Sequence, residues 1–296
     1  MSVKPARYIS LKSALAGAVF LCLMMVGSVR MLGQGPTFAS RVEAVRVDVL
    51  VTDRGRPVRD LRADDFEVLD NGVRQEVDLV SFEQVPLNAI LVLDMSVSVA
   101  GDRLDHLRAA ARGLLDGLKA EDRAALVTFS HVVFQGSGLT TNLERVRAAI
   151  DRTVGPGETS LVDGIHTGMM LGESDAGRSL LIVFSDGFDT ASWLPADSVL
   201  DTAKRADAVV YAVAVGTSPK ATFLRDLSAL TGGTFLRAES TRDLAATFLG
   251  ILDEFRHRYL VSYSPRNVAK GGWHKLGVRV KRKGVAVKAR PGYLAN

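Results

Sequence analysis

Asp94, Ser96 and Ser98 stand at alternate positions, so a tight loop there would turn one carboxylate and two hydroxyls toward a single point. Hard oxygen donors of this kind suit Mg²⁺ better than zinc or copper, with Mn²⁺ or Ca²⁺ as alternatives. Each residue alone says little. An isolated Asp is more often a helix cap or turn residue than a ligand, and two serines add nothing by themselves.

The elements around the triplet change its weight. Ala89 to Leu93 is a continuous apolar run, which reads as a strand buried on both faces, as in a parallel sheet. The oxygen-bearing residues then fall just past the strand's carboxyl end, where open α/β sheets bind their ligands. Two further pieces belong with it. Gly155-Pro-Gly-Glu-Thr-Ser160 is a loop carrying Thr159 ahead of a helical stretch from Leu161 to Leu171, and Ser179-Leu-Leu-Ile-Val-Phe-Ser-Asp-Gly187 is a second buried strand ending in Asp186.

Taken together, these motifs resemble the metal-ion-dependent adhesion site of the von Willebrand factor A domain family: Asp-x-Ser-x-Ser, a distant Thr, and a later Asp within Ser-Asp-Gly. All five positions are present in order, as Asp94, Ser96, Ser98, Thr159 and Asp186. The resemblance implies an α/β fold with a doubly wound, mostly parallel six-stranded sheet and the site at its topological switch point. It also implies that Ser96, Ser98 and Thr159 contribute hydroxyls while Asp94 and Asp186 act directly or through water. Two carboxylates only just balance a divalent ion, so an Asp or Glu from a protein partner can complete its shell. Glu158 and Asp189 lie nearby in sequence and either modulate the field around the ion or are solvated loop carboxylates.

The pI of 9.3 misleads. Residues 1–34 carry Lys4, Arg7, Lys12 and Arg30 and no acid; without these four, the 37 basic residues fall to 33 against 33 acidic ones. Overall charge thus gives no support to nucleic-acid binding. The balance is uneven, however: eleven Lys or Arg follow Glu254, the last acid. Such a tail is a basic strand face docked on a more acidic neighbour, or else a contact for anionic lipid or polymer.

Residues 1–34 read as an export signal or an N-terminal anchor, with a basic start and an apolar core from Ala14 to Val26 that is short for a membrane span. That places the rest outside the cytoplasm, periplasmic or secreted, with any membrane contact made only through an uncleaved N-terminal segment. The only cysteine, Cys22, lies within that core, so the mature chain has no disulfide or thiolate site.

Residues 35–85 form an all-β flank. Val45, Val47, Val49 and Val51 alternate with Arg46, Asp48 and Leu50 as a half-buried strand. Asp70-Asn71-Gly72 joins Phe66–Leu69 to a strand over Val73–Phe82 as a hairpin. Residues 86–258 alternate strands and helices, which implies right-handed crossovers and a sheet covered on both faces. Residues 259–296 return to β, with Leu276–Val280 and Val285–Ala289 expected as a hairpin about Arg282-Lys283-Gly284. The two flanks are expected to form one small β-sandwich into which the α/β domain is inserted. Val-Thr-Asp, Asp-Phe and Asn-Gly in the first flank resemble von Willebrand A-related proteins described from Acidobacteria.

Other function classes fit less well. Phosphoryl-transfer enzymes with an aspartyl nucleophile resemble Asp-x-Asp, but position 96 is serine. Gly155–Ser160 lacks the Gly-Lys-Ser/Thr of a phosphate loop. His106, His131, His166, His257 and His274 have no zinc spacing. No enzymatic role is expected. The expectation is an exported, Mg²⁺-dependent adhesion or scaffolding protein, with a structural envelope protein that makes no use of metal as the alternative.

Overall fold

The computed structural model of the protein describes residues 44–295 apart from 153–156, 174–176, 186–187 and 216–220. The segment read as an export signal and the ligand candidate Asp186 therefore lie outside the described residues.

The described residues open in β. Strand β1 (Val45–Asp53) turns through Arg54-Gly55 into β2 (Arg56–Pro57). A 3-10 turn at Ala63–Asp65, closed by the Asp65 carboxylate on the Arg62 amide, leads into β3 (Phe66–Asp70). Asn71 and Gly72, with φ of 48° and 83°, reverse the chain into β4 (Val73–Gln75). Two consecutive residues at positive φ are what a two-residue hairpin turn needs to follow the strands' twist. The strand expected over 73–82 is broken, however. Gln75 is tied to the backbone of Arg266, and the chain then crosses to a second sheet as β5 (Leu79–Phe82).

The α/β domain follows. Its elements are β6 (Leu87–Asp94), α1 (Asp102–Asp116), β7 (Arg123–Phe129), β8 (Val133–Thr140), α2 (Leu143–Arg152) and α3 (Leu161–Gly172). They continue as β9 (Arg178–Phe184), α4 (Ala196–Arg205), β10 (Val209–Val215), α5 (Thr222–Leu230), β11 (Phe235–Ala238) and α6 (Leu244–Arg256). The six-stranded sheet runs β11-β10-β9-β6-β7-β8, with only β8 antiparallel. Alternation along β6 splits its core. Ala89, Leu91 and Leu93 pack under α1, α2 and α6, whereas Ile90 and Val92 pack under α3, α4 and α5. Each fully buried aliphatic side chain stabilises the fold by about 1.5–3 kcal/mol, so a strand buried on both faces is tightly specified.

The chain closes with β12 (Arg258–Tyr263), β13 (Gly272–Val280), β14 (Ala286–Lys288) and β15 (Gly292–Ala295). One sheet runs β14-β1-β12-β5 with β2 on β1, the other β15-β13-β3-β4. They enclose a core of Val47, Val49, Val51, Phe66, Val68, Tyr259, Val261 and Tyr263. The α/β sheet is thus inserted in a β-sandwich made by the segments that flank it, residues 45–82 and 258–295. The expected hairpin at 282–284 is not one: β13 pairs with β3 and β15, while β14 pairs with β1 across the sandwich. Val278, Val280, Val285 and Val287 still pack on the shared core from both sides, which explains why their alternation resembled a single hairpin.

Strand β1 is buried on both faces rather than one. Asp48 and Leu50, on the face away from the sandwich core, are buried too, and Asp48 pairs with buried Arg178 at the start of β9. Much of the basic tail is docked on acids elsewhere: Arg256 on Asp122, Arg266 on Glu76, and Arg282 on Asp60. Buried Arg290 donates to the carbonyls of Lys204 and Ala206 at 2.8 Å each, capping the carboxyl end of α4, where a cation is favoured. Among the described residues no helix is long and apolar enough to cross a membrane.

Candidate metal centre

The chain leaves β6 toward β7 on one side and leaves β9 toward β10 on the other, so the crevice between the ends of β6 and β9 is the switch point of the sheet. Asp94 is the last residue of β6 and is fully buried. Its Oδ1 accepts the Ser96 amide at 2.9 Å, and its Oδ2 accepts the Ser185 hydroxyl at 2.8 Å from the end of β9. The two bonds fix the plane of the carboxylate from both sides of the crevice. Ser96 is buried and opens a short 3-10 turn, Val97–Val99, whose backbone includes Ser98.

Thr159 reaches the same end of the sheet by another route. The Ser160 amide donates to the Ser130 carbonyl at 2.7 Å, just past β7, and α3 then begins at Leu161. Helix α3 can lie this close to the strands because Gly164 and Gly168 face them. A Cβ at position 164 would stand 2.6 Å from the Phe129 ring, and one at 168 would stand 2.5 Å from Val92. With any larger residue the helix would be pushed off the sheet, and Thr159 with it.

Thr159 is buried, and its backbone is held by the loop after β9: its amide donates to Thr190 Oγ1 at 2.9 Å, and its carbonyl accepts the Thr190 and Ala191 amides. Asp189 accepts the Leu161 amide at 2.9 Å, so it caps the amino end of α3. Glu158 is exposed on the approach to Thr159. The structure therefore brings Asp94, Ser96 and Thr159 to the same end of the sheet, gives Asp189 a capping role, and leaves Asp186 outside the described residues. Ser185 is a residue that the motif alone did not single out. Its signal was its place in Ser-Asp-Gly, one step before Asp186.

The donors fit a hard cation: a buried carboxylate and buried hydroxyls, all oxygen. Among the described residues no three His, Cys, Asp or Glu side chains converge as a metal cluster. Asp186, the second candidate carboxylate, lies outside those residues.

The chain belongs to the von Willebrand factor type A domain family, matching it over residues 88–248. Domains of this family bind a divalent metal at the adhesion site and serve mostly in adhesion and scaffolding rather than catalysis. An uncharacterized protein of Synechocystis is 34% identical over 89 residues, covering 29% of this chain and 21% of the relative. The heavy chain H2 of the pig inter-alpha-trypsin inhibitor is 25% identical over 56% of this chain and 20% of its own length. This chain thus spans about a fifth of either relative. A UPF0353 protein of Nocardia farcinica is 24% identical over 69% of this chain and 73% of its own. Among solved structures, proximal thread matrix protein 1 of the mussel byssus, with zinc in its MIDAS motif, superposes with a TM-score of 0.54. It is 15% identical, and the match covers 64% of this chain and 50% of that one, a likeness of fold.

Proposed function

We propose that this chain is an exported protein-binding module, adhesive or scaffolding, whose Mg²⁺ site captures an acidic side chain of a protein partner. The observation that carries this reading is the fully buried Asp94 carboxylate, oriented by Ser96 and Ser185 at the switch crevice. Asp94, Ser96, Ser98, Thr159 and Asp186 would hold the ion. When bound, it supplies an electrophilic centre with room for an incoming carboxylate. The chain's own part is to hold the hydroxyls in place before the ion arrives. The apolar stretch from Ala14 to Val26 supports export, to the periplasm or beyond.

Calorimetric titration of the full chain with Mg²⁺, beside Asp94→Ala, tests the reading. Saturable binding in the parent and none in the variant is the expected outcome. Equal heats in the two chains would sink the site and return the protein to a structural role.

A further inference from the structure

Large apolar side chains are exposed on three neighbouring loops at the crevice end of the sheet. Val97 follows β6, Val132 follows β7, and Phe188, Trp193 and Leu194 follow β9. Because β7, β6 and β9 are adjacent, these loops leave the sheet within about 10 Å of one another. Trp193 is the extreme case, at 94% exposed.

Its backbone, by contrast, is fixed. The Trp193 and Leu194 amides both donate to the Asp163 carboxylate at 2.9 Å, in the first turn of α3. Ser192 Oγ in turn accepts the amides of Val162 and Asp163 at 3.0 and 3.2 Å. With Asp189 and Thr190 also bonded to the start of α3, the loop is stapled to the segment that places Thr159. On an immobilised backbone, an indole has only its two side-chain torsions left to order on binding, and large aromatics are the usual energetic anchors of protein interfaces.

We infer that Trp193 is a contact residue of a protein-docking surface continuous with the Asp94 crevice, packing on apolar side chains that flank the carboxylate a partner gives to the metal. This rests on the metal-dependent reading above. The charge of the loop selects a protein over an anionic membrane: residues 186–197 contain no Lys or Arg, but they do contain Asp186, Asp189 and Asp197. Such a rim repels acidic headgroups and makes capture of a carboxylate strictly dependent on the cation.

The test is a random peptide library displayed on phage, panned on the full chain with Mg²⁺ and eluted with a chelator. Peptides recovered this way are then titrated against the parent, Asp94→Ala, Trp193→Ala and Trp193→Phe. The expected peptides carry an Asp or Glu beside aliphatic or aromatic residues. Asp94→Ala abolishes their binding, Trp193→Ala weakens it about 30-fold, and Trp193→Phe recovers most of it. In a Trp273→Phe background, Trp193 emission shifts to the blue when peptide and Mg²⁺ are both present. Unchanged affinity in Trp193→Ala, with no emission shift, overturns the docking assignment and leaves the metal site standing. If no peptide is released by the chelator, the metal-dependent reading falls and the docking surface with it. A Mg²⁺-independent blue shift on anionic phospholipid vesicles would also overturn the proposal, making the loop a membrane contact.

Discussion

Among the described residues, the carboxylates of Asp70 and Asp94 are both fully buried, and they are held in opposite ways. In the sandwich, Asp70 Oδ2 accepts the hydroxyls of Tyr263 and Tyr293 at 2.8 and 2.9 Å, and Oδ1 faces His274 Nδ1 at 2.7 Å. The donors come from β12, β13 and β15, so one side chain of β3 ties both sheets together. At the α/β crevice, Asp94 takes an amide from its own loop and one serine hydroxyl from β9. Asp70 is enclosed by bulky aromatic donors that fill its acceptor sites and the space around them. Asp94 is fixed by small ones, a backbone amide and a serine hydroxyl. Burial alone therefore does not mark a candidate ligand; the size and origin of the donors distinguish the two sites.

The same substitution at both sites separates these roles most sharply. Asp70→Asn leaves two buried tyrosine hydroxyls without a carboxylate to receive them and should cost about 3–5 kcal/mol. In urea unfolding this would appear as a clear loss of midpoint, and in calorimetry as a Tm lower by about 10 °C. Asp94→Asn can keep its carbonyl on the Ser96 amide and turn its NH₂ toward Ser185 Oγ, which also accepts. Its stability cost should be only about 1 kcal/mol, while Mg²⁺ binding falls below detection. If the stability losses are equal, the contrast fails.

A smaller effect is expected in alkali. Burial, reinforced by the bond to Asp70, pushes the Tyr293 hydroxyl up from 10.0 to about 12, and the same causes raise Tyr263. The folded state therefore keeps protons that the unfolded chain has released. Stability from this cluster is full below pH 10 and declines as the pH rises toward 12. Tyrosinate absorbance should appear in this range together with unfolding; its appearance in the intact fold would remove the cluster's claim to be sealed.

Much of the α/β domain was legible because its signals are local. The apolar run before Asp94 reads as a strand buried on both faces, and β6 is buried along its whole length. The sandwich was harder to read because its two sheets share one core. Val278 and Val285 alternate as hairpin partners would, yet they belong to opposite layers, and the choice is settled by pairing with β1 and β3, more than 200 positions earlier. Asp48 resembled a solvent-facing residue until the Arg178 opposite it was known. In the site, the candidate hydroxyls were visible as a motif. The closeness of α3, which depends on Gly164 and Gly168 meeting Phe129 and Val92, needed the third dimension.

The insertion of the α/β domain has a mechanical consequence. Its two covalent joints are short, with residues 83–86 between β5 and β6 and the single His257 between α6 and β12. The joints also touch, with Glu83 Oε1 at 3.6 Å from His257 Nε2. A domain hung on two rigid, adjoining pivots has no slack through which to swivel. Tension applied at the Asp94 end is delivered directly to β12, the strand clamped between β1 and β5. Yielding there means shearing the ladders on both of its edges at once, so the sandwich resists a pull on the crevice through two ladders together.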